Sequence, residues 1–234
     1  MTTNIQSSVR RYKIADQVYD ILRAQIIKGI LVPGQEILVD QLAGRLDSSK
    51  TPIREALNRL KGEGLIIGTD KGKMSVIKLS SKEITHICEL RVALEMLALR
   101  WSFENIPREK LQENLRMLRE AEEKLKRGDP THFYEVDTIL HNLIVNSAGN
   151  QWLSQIISQL RNLIEITRNM FTSIERDKES LREHIIIIES LLKGDKEVAM
   201  KNLNSHIEHV KSHLLCQILH QEEEISENLV KKTK

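Results

Sequence analysis

The stretch Val39–Gly64, VDQLAGRLDSSKTPIREALNRLKGEG, constrains this chain more than any other. Leu42, Ala43 and Leu46 recur at helical spacing and give one apolar stripe. A polar connection follows, Asp47-Ser48-Ser49-Lys50. Thr51 is then placed to cap a second helix, with Pro52 at its first position, where the missing N–H costs nothing. In that helix Ile53, Leu57 and Leu60 fall at i, i+4 and i+7 and should face a core. Arg54, Asn58 and Lys61 share the spacing on a different face, and Gly62 and Gly64 supply a stop. Two helices, a short turn and a donor-rich outer face predict a helix-turn-helix whose second helix enters a DNA major groove. The same periodicity also fits an ordinary helical hairpin with a solvated charged face.

Charge supports the first reading. The net charge of +2 is unevenly spread: residues 1–79 carry 13 Lys and Arg against 8 Asp and Glu, and residues 80–234 carry 22 against 25. The basic part holds the helix-turn-helix, as phosphate binding requires. An amphipathic helix is expected upstream, on Ile14, Val18, Ile21, Leu22 and Ile26, ending at Gly29. Downstream, Leu65–Gly68 and Ser75–Leu79 read as strands around the polar tip Thr69-Asp70-Lys71-Gly72-Lys73. Beside the helix-turn-helix this predicts a β-hairpin wing, in which Gly72 permits close backbone approach to DNA and Lys71 and Lys73 add charge; a plain polar hairpin loop is the alternative.

The wording LAGRLDSSKTPIREALNRLKGEGLI closely resembles the winged-helix signature of the GntR family of bacterial transcription regulators. Leu42, Ala43, Ser49, Thr51, Pro52, Arg54, Glu55, Ala56, Leu57, Leu60, Gly64 and Leu65 match it. The turn Leu31-Val32-Pro33-Gly34 also fits the family pattern, in which it leads into a short strand, here Glu36–Leu38. The donor-rich face, the wing tip and the resemblance together point to DNA contacts by Lys50, Thr51, Arg54, Asn58, Lys71, Gly72 and Lys73. Two positions depart from the pattern: Lys50 stands where the family usually has Arg, and Asp40 where many members have a DNA-contacting Arg. Lys lacks the bidentate fork of Arg, and Asp repels phosphate, so the operator or the affinity should differ from the commonest.

After the linker Ser80-Ser81 everything reads as helix. The expected spans are Lys82–Glu104, Arg108–Arg127, Thr131–Ala148, Gln151–Phe171, Glu175–Leu192 and Lys196–Glu222, followed by a charged, mobile tail. Aromatic residues are only 3%, so Leu and Ile must fill the core. Asp137 and His141 are four apart and share a helix face, at the margin of the stripe Phe133, Leu140 and Ile144. His184 falls in line with Leu181, Ile188 and Leu191, and His206 borders Leu203 and Val210. One carboxylate and three imidazoles from three helices can bind a first-row divalent metal and leave positions open. Each histidine taken alone also fits a satisfied residue at the core edge. His209 and His213 are further candidates.

A second resemblance concerns this half. Asp137-Thr-Ile-Leu-His141, then Ser147-Ala-Gly149-Asn150, Arg182-Glu-His184 leading to Gly194-Asp195, and Ser205-His206-Ile207 look like the FCD effector domain of the FadR subfamily, a helical ligand-binding domain. Six candidate helices suit its smaller, VanR-like branch. Many such domains bind a metal through one Asp and three His, which implies Asp137, His141, His184 and His206 as ligands, with Zn or Ni suited to the imidazoles. The segment Glu89-Leu90-Arg91 matches the start of the domain, where an Arg often faces the effector. Arg91 could hold a carboxylate by bidentate pairing, or it could pair with Glu95 on a solvated face. Arg161 is a weaker second effector contact.

These readings predict a mostly α protein. Residues 10–79 form a winged helix-turn-helix with a small β-hairpin wing, and residues 82–222 an all-helical six-helix bundle for effector binding and dimerisation. The expected function is a metabolite-responsive transcriptional regulator, a repressor and not an enzyme. It is expected to be a homodimer that binds a pseudo-palindromic double-stranded DNA operator and responds to a small carboxylate. A metal-dependent hydrolase and an architectural DNA binder with a structural metal are the alternatives. The two cysteines, Cys88 and Cys216, are far apart and in no metal or redox spacing. With no apolar leader and no run near the roughly 18 apolar residues of a membrane span, the expected location is cytoplasmic.

Overall fold

The computed structural model describes residues 14–68, 73–129, 131–171 and 173–232, with side chains except at 131–135, 170 and 221–232. The chain divides into two compact units, Met1–Lys78 and Leu79–Lys234.

In the first unit helix α1, Ile14–Ile27, buries Val18, Leu22 and Ile26 of the stripe that its sequence predicts, while Ile14 and Ile21 of that stripe are exposed. Strand β1, Glu36–Ile37, leads into α2, Val39–Arg45, and α3, Lys50–Gly62. Helix α3 buries Ile53, Ala56, Leu57 and Leu60 and packs on α1 and α2. Its end is a Schellman turn. Gly64, at φ 76°, donates to Lys61 O, and Leu65 N donates to Leu60 O. The φ suits glycine, and Leu60 and Leu65 are both buried around the turn. Strands β2, Ile66–Gly68, and β3, Met74–Val76, follow. The sheet is antiparallel in the order β1-β3-β2, with Glu36 opposite Ser75 and Ile66 opposite Val76.

Several boundaries differ from the sequence reading. The cap of α3 is Ser49, in extended backbone, not Thr51. Pro52 therefore falls third in the helix. Any first-turn N–H lacks an intrahelical partner, so Pro marks the first turn without fixing its first residue. Helix α1 stops at Ile27, β1 at Ile37, and Leu38 already serves as the N-cap of α2. Strand β3 spans Met74–Val76 rather than Ser75–Leu79 because β1 and β2 supply partners only that far. Most of the wing tip, with Lys71 and Gly72, lies outside the described residues.

The second unit has six helices among its described residues: α4, Ser81–Ser102; α5, Arg108–Lys126; α6, Thr131–Ser147; α7, Gln151–Met170; α8, Ile174–Lys193; and α9, Lys196–Lys232. Helix α4 opens with a capping box in which Ser80 Oγ accepts from Glu83 N and the Glu83 carboxylate accepts from Ser80 N. Helix α9 continues to Lys232, past the expected end at Glu222. The core gathers Ala98 and Leu99 of α4, Leu118 of α5, Leu140 and Ile144 of α6, Ile157 of α7, Ile188 of α8 and Leu203 and Ile207 of α9. Helix α6 contacts α4, α5, α7 and α8, which sets its inward residues at the centre of the bundle.

Candidate DNA-contact face and metal centre

In the first unit the apolar side of α3 is spent on packing, so its polar side stays outside. Thr51, Arg54 and Asn58 are exposed and make no hydrogen bond or ion pair with the described residues. Arg59, one position on, is tied to α1 instead: its guanidinium pairs with Asp16 at 2.6 Å and lies 3.9 Å over the Tyr19 ring. Lys50 Nζ lies 2.8 Å from Asp40 Oδ1, and Lys73 Nζ 2.8 Å from Glu36 Oε1. A row of free donors on the second helix of a helix-turn-helix is the arrangement that reads base edges in a major groove.

In the second unit the structure brings together Asp137 and His141 of α6, His184 of α8 and His206 of α9. One ligand-capable atom of each lies within 4.8 Å of the others, and all four residues are buried. His184 Nε2 is 3.2 Å from His206 Nε2 and 3.5 Å from Asp137 Oδ1. The ring centroid of His141 is 5.3 Å from that of His184 and 5.4 Å from that of His206. The local cause is periodicity: each residue sits on a stripe whose other members, Leu140, Ile144, Leu181, Ile188, Leu203 and Val210, are buried. His209 is exposed, and His213 Nε2 bonds Phe171 O at 3.1 Å; neither joins the four.

Two carboxylates, the buried Glu95 and the half-buried Glu183, set the tautomers. Glu95 Oε2 accepts from His141 Nδ1 at 2.5 Å, and Glu183 Oε2 accepts from His206 Nδ1 at 2.7 Å. With the proton on Nδ1, each Nε2 carries its lone pair, the usual carboxylate–histidine arrangement behind a metal. Glu183 is itself held by Arg176 at 2.8 Å and His209 at 2.7 Å. Asp137 Oδ2 accepts from Arg168 at 3.0 Å. Nδ1 of His184 is buried and has no hydrogen-bond partner among the described residues.

The donor set fits a divalent cation. Two Nε2 atoms at 3.2 Å share one hydrogen bond only if one of them is protonated. A central cation instead takes both lone pairs and the Asp137 carboxylate together. The protonation states agree. Burial pushes the His141 imidazole down to about 4 against the pull of Glu95. Burial, then the neighbouring His206, lowers His184 well below its usual range. Burial also lowers His206, against its bond to Glu183. For Asp137 burial acts the other way, but Arg168, His184 and His141 outweigh it and hold the carboxyl well below its usual range. Neutral imidazoles around an ionised carboxylate are the state that a metal requires.

Arg91 and Glu95 pair at 2.6 Å, as the sequence allows, but they are 5% and 0% exposed rather than solvated. They fall on the stripe that buries Ile84, Ile87, Cys88 and Ala98, a signal present in the sequence. Arg91 Nη2 is 3.2 and 3.5 Å from the two ring nitrogens of His141. Both are within hydrogen-bond distance, and the nearer one is Nε2, the nitrogen that a metal would use, so the guanidinium stands at the edge of the quartet. Arg161 is half-buried and donates to Asn142 Oδ1 at 2.8 Å; it has no hydrogen bond to the four. The sequence reading missed Glu183, Arg168 and Arg176.

A helix-turn-helix unit with a three-stranded sheet, joined to a helical unit with a buried Asp/His quartet, defines a two-unit DNA-binding regulator. Residues 14–73 match the bacterial regulatory proteins of the gntR family, and residues 86–209 match the FCD domain. The chain is 31% identical over 200 residues to the uncharacterized HTH-type transcriptional regulator YdhC of Bacillus subtilis, covering 85% of this chain and 89% of YdhC. It is 27% identical over 200 residues to the gluconate operon transcriptional repressor of Bacillus licheniformis, covering 81% and 80%. The structure of McbR/YncC of Escherichia coli has the same fold, with a TM-score of 0.75 at 22% identity over 88% of this chain and 98% of that one. The chain therefore belongs to the GntR family and carries an FCD domain. It is a DNA-binding transcriptional regulator; its family and relatives are regulators, not enzymes. No helix among the described residues is long and apolar enough to cross a membrane.

Proposed function

We propose that this protein is a cytoplasmic repressor whose hold on a DNA operator is controlled by a small carboxylic or sugar acid bound at a metal in the helical unit. The observation that carries the proposal is the buried quartet, with two of its imidazoles locked in the metal-binding tautomer by Glu95 and Glu183. Asp137, His141, His184 and His206 hold the ion, Zn or Ni by donor type. The ion supplies open coordination positions to a carboxylate. Arg91 adds a fixed positive charge beside it, and Arg161 a further one in the same part of the bundle. The gluconate operon repressor is named for a sugar acid, which supports that ligand class. Control of DNA binding requires that the acid favour one arrangement of the DNA-binding units over another. The protein acts as a homodimer on a pseudo-palindromic operator, because one recognition helix reads only a few base pairs. Lys50, Thr51, Arg54, Asn58, Lys71, Gly72 and Lys73 form the contact face.

Arg54 tests the DNA half. Arg54→Ala should weaken binding to a duplex selected from a randomised pool by about 1–3 kcal/mol, the worth of one good base contact. Fluorescence anisotropy reads the loss, and undiminished affinity would remove α3 as the reading helix. A thermal-shift screen of organic acids against zinc-loaded protein tests the ligand half. At least one acid should raise the melting temperature, and a flat response across sugar acids and dicarboxylates would count against the ligand class.

A further inference from the structure

Two lysines of the contact face already have an acidic partner. Lys50, the first residue of α3, reaches Asp40 in the first turn of α2, with side chains 57% and 75% exposed. Lys73, just before β3, reaches Glu36 on β1, with side chains 56% and 42% exposed. Exposed pairs of this kind contribute little to stability, so the fold does not need them. Arg54 and Asn58 between them have no such partner among the described residues.

The pairs change what a DNA phosphate gains from these lysines. A free lysine that neutralises a phosphate releases condensed counterion from the duplex. A lysine drawn away from a carboxylate leaves that carboxylate to be neutralised by a cation from solution. Release and uptake then nearly cancel, and the stranded carboxylate repels the nearby phosphates.

We propose that Asp40 and Glu36 are affinity-setting residues of the DNA-contact face: each competes with phosphate for one lysine and so reduces the backbone share of DNA binding. This rests on the assignment of that face to DNA. Operator binding then leans on base contacts by Arg54 and Asn58. Its total strength stays within reach of the roughly 5–150-fold change that one allosteric ligand supplies.

Asp40→Asn, Glu36→Gln, their combination, and Lys50→Met alone and with Asp40→Asn test this. Each full-length protein is titrated by anisotropy between about 50 and 200 mM salt. The probes are a mixed-sequence duplex and a duplex that the wild type selects from a randomised pool. Each acid-to-amide substitution should tighten binding to both duplexes by about five- to tenfold at low salt. Asp40→Asn should also steepen the plot of log affinity against log salt by about 0.9, Glu36→Gln should steepen it as well, and the pair should exceed either alone. Adding Lys50→Met to Asp40→Asn should return the slope to the wild-type value, while Lys50→Met alone changes it little. Melting temperatures should be unchanged. Unchanged slopes in the amide variants, beside a salt-dependent wild type, overturn this inference alone. Weaker binding by Asp40→Asn also overturns it, since the carboxylate would then be making a contact of its own. A wild type that binds neither duplex overturns the contact face and this inference with it.

Discussion

Replacing His184 by Ala should empty the metal centre, destabilise the helical unit and abolish the ligand response, while leaving operator binding intact. His184 is fully buried and stands between His206 and Asp137. Its loss removes one of four donors and leaves those two facing a void. A metal present at a thousandfold its dissociation constant stabilises by about 4 kcal/mol through mass action, and a loss of that order is expected. His206→Ala should behave alike. His209→Ala is the contrast, because that ring is exposed and reaches the centre only through Glu183. Elemental analysis after gentle purification should give about one divalent ion per wild-type chain and a strongly reduced content in the first two variants. Tryptophan fluorescence reports the helical unit within the full chain, since both tryptophans, Trp101 and Trp152, lie in it. A His184→Ala protein with full metal content would remove the centre as drawn.

The chelated wild type should lose stability steeply in acid. In the folded protein the three imidazoles of the quartet take up protons below the usual histidine range, His184 well below it and His141 only near 4. Unfolded, they bind protons from about 6.5 downward. The unfolded state thus holds more protons below that pH, and the free energy of unfolding falls as pH falls. At about 1.36 kcal/mol for each pH unit, His141 alone accounts for about 3 kcal/mol between pH 6.5 and 4. Glu95 and Asp137 extend the loss below that window, because their folded carboxyls stay ionised where unfolded ones protonate. Denaturant titrations of tryptophan fluorescence at pH 7, 6 and 5 measure it. An unfolding free energy that is flat across that range would contradict neutral burial of the imidazoles.

Local periodicity carries much of this into the sequence. The stripe Ile53, Leu57 and Leu60 predicts which side of α3 is buried, and all three are at most 1% exposed. The quartet is visible for the same reason, since a polar residue that interrupts an apolar stripe must be carried inward with it. Arg91 and Glu95 obey that rule too, although their i, i+4 spacing equally describes a surface pair. Only the packing of α4 against α6, α7 and α9 settles the matter.

What depends on contact between distant elements is not legible. Glu183 sits in a charged run, and nothing local distinguishes it from Glu179. Its role comes from α9, which brings His206 and His209 against it. Arg168 reaches Asp137 across 31 positions in the same way. The end of α9 fails for a different reason. High charge suggests a frayed tail, yet the segment after Glu222 is rich in Glu and Lys, has no Gly or Pro, and continues as helix. The Lys50–Asp40 pair shows the value of departures from a motif. Each residue taken alone weakens the expected DNA contact, and together they form one ion pair.

The most direct test is operator binding by zinc-loaded wild type and His184→Ala, with the selected duplex, across a panel of sugar acids and dicarboxylates. At least one acid should change the wild-type affinity by about fivefold or more, the lower end of allosteric coupling, and should leave the variant unmoved at the same starting affinity. A wild type indifferent to every acid that binds it, or a variant that responds as the wild type does, would contradict control of DNA binding through the metal centre.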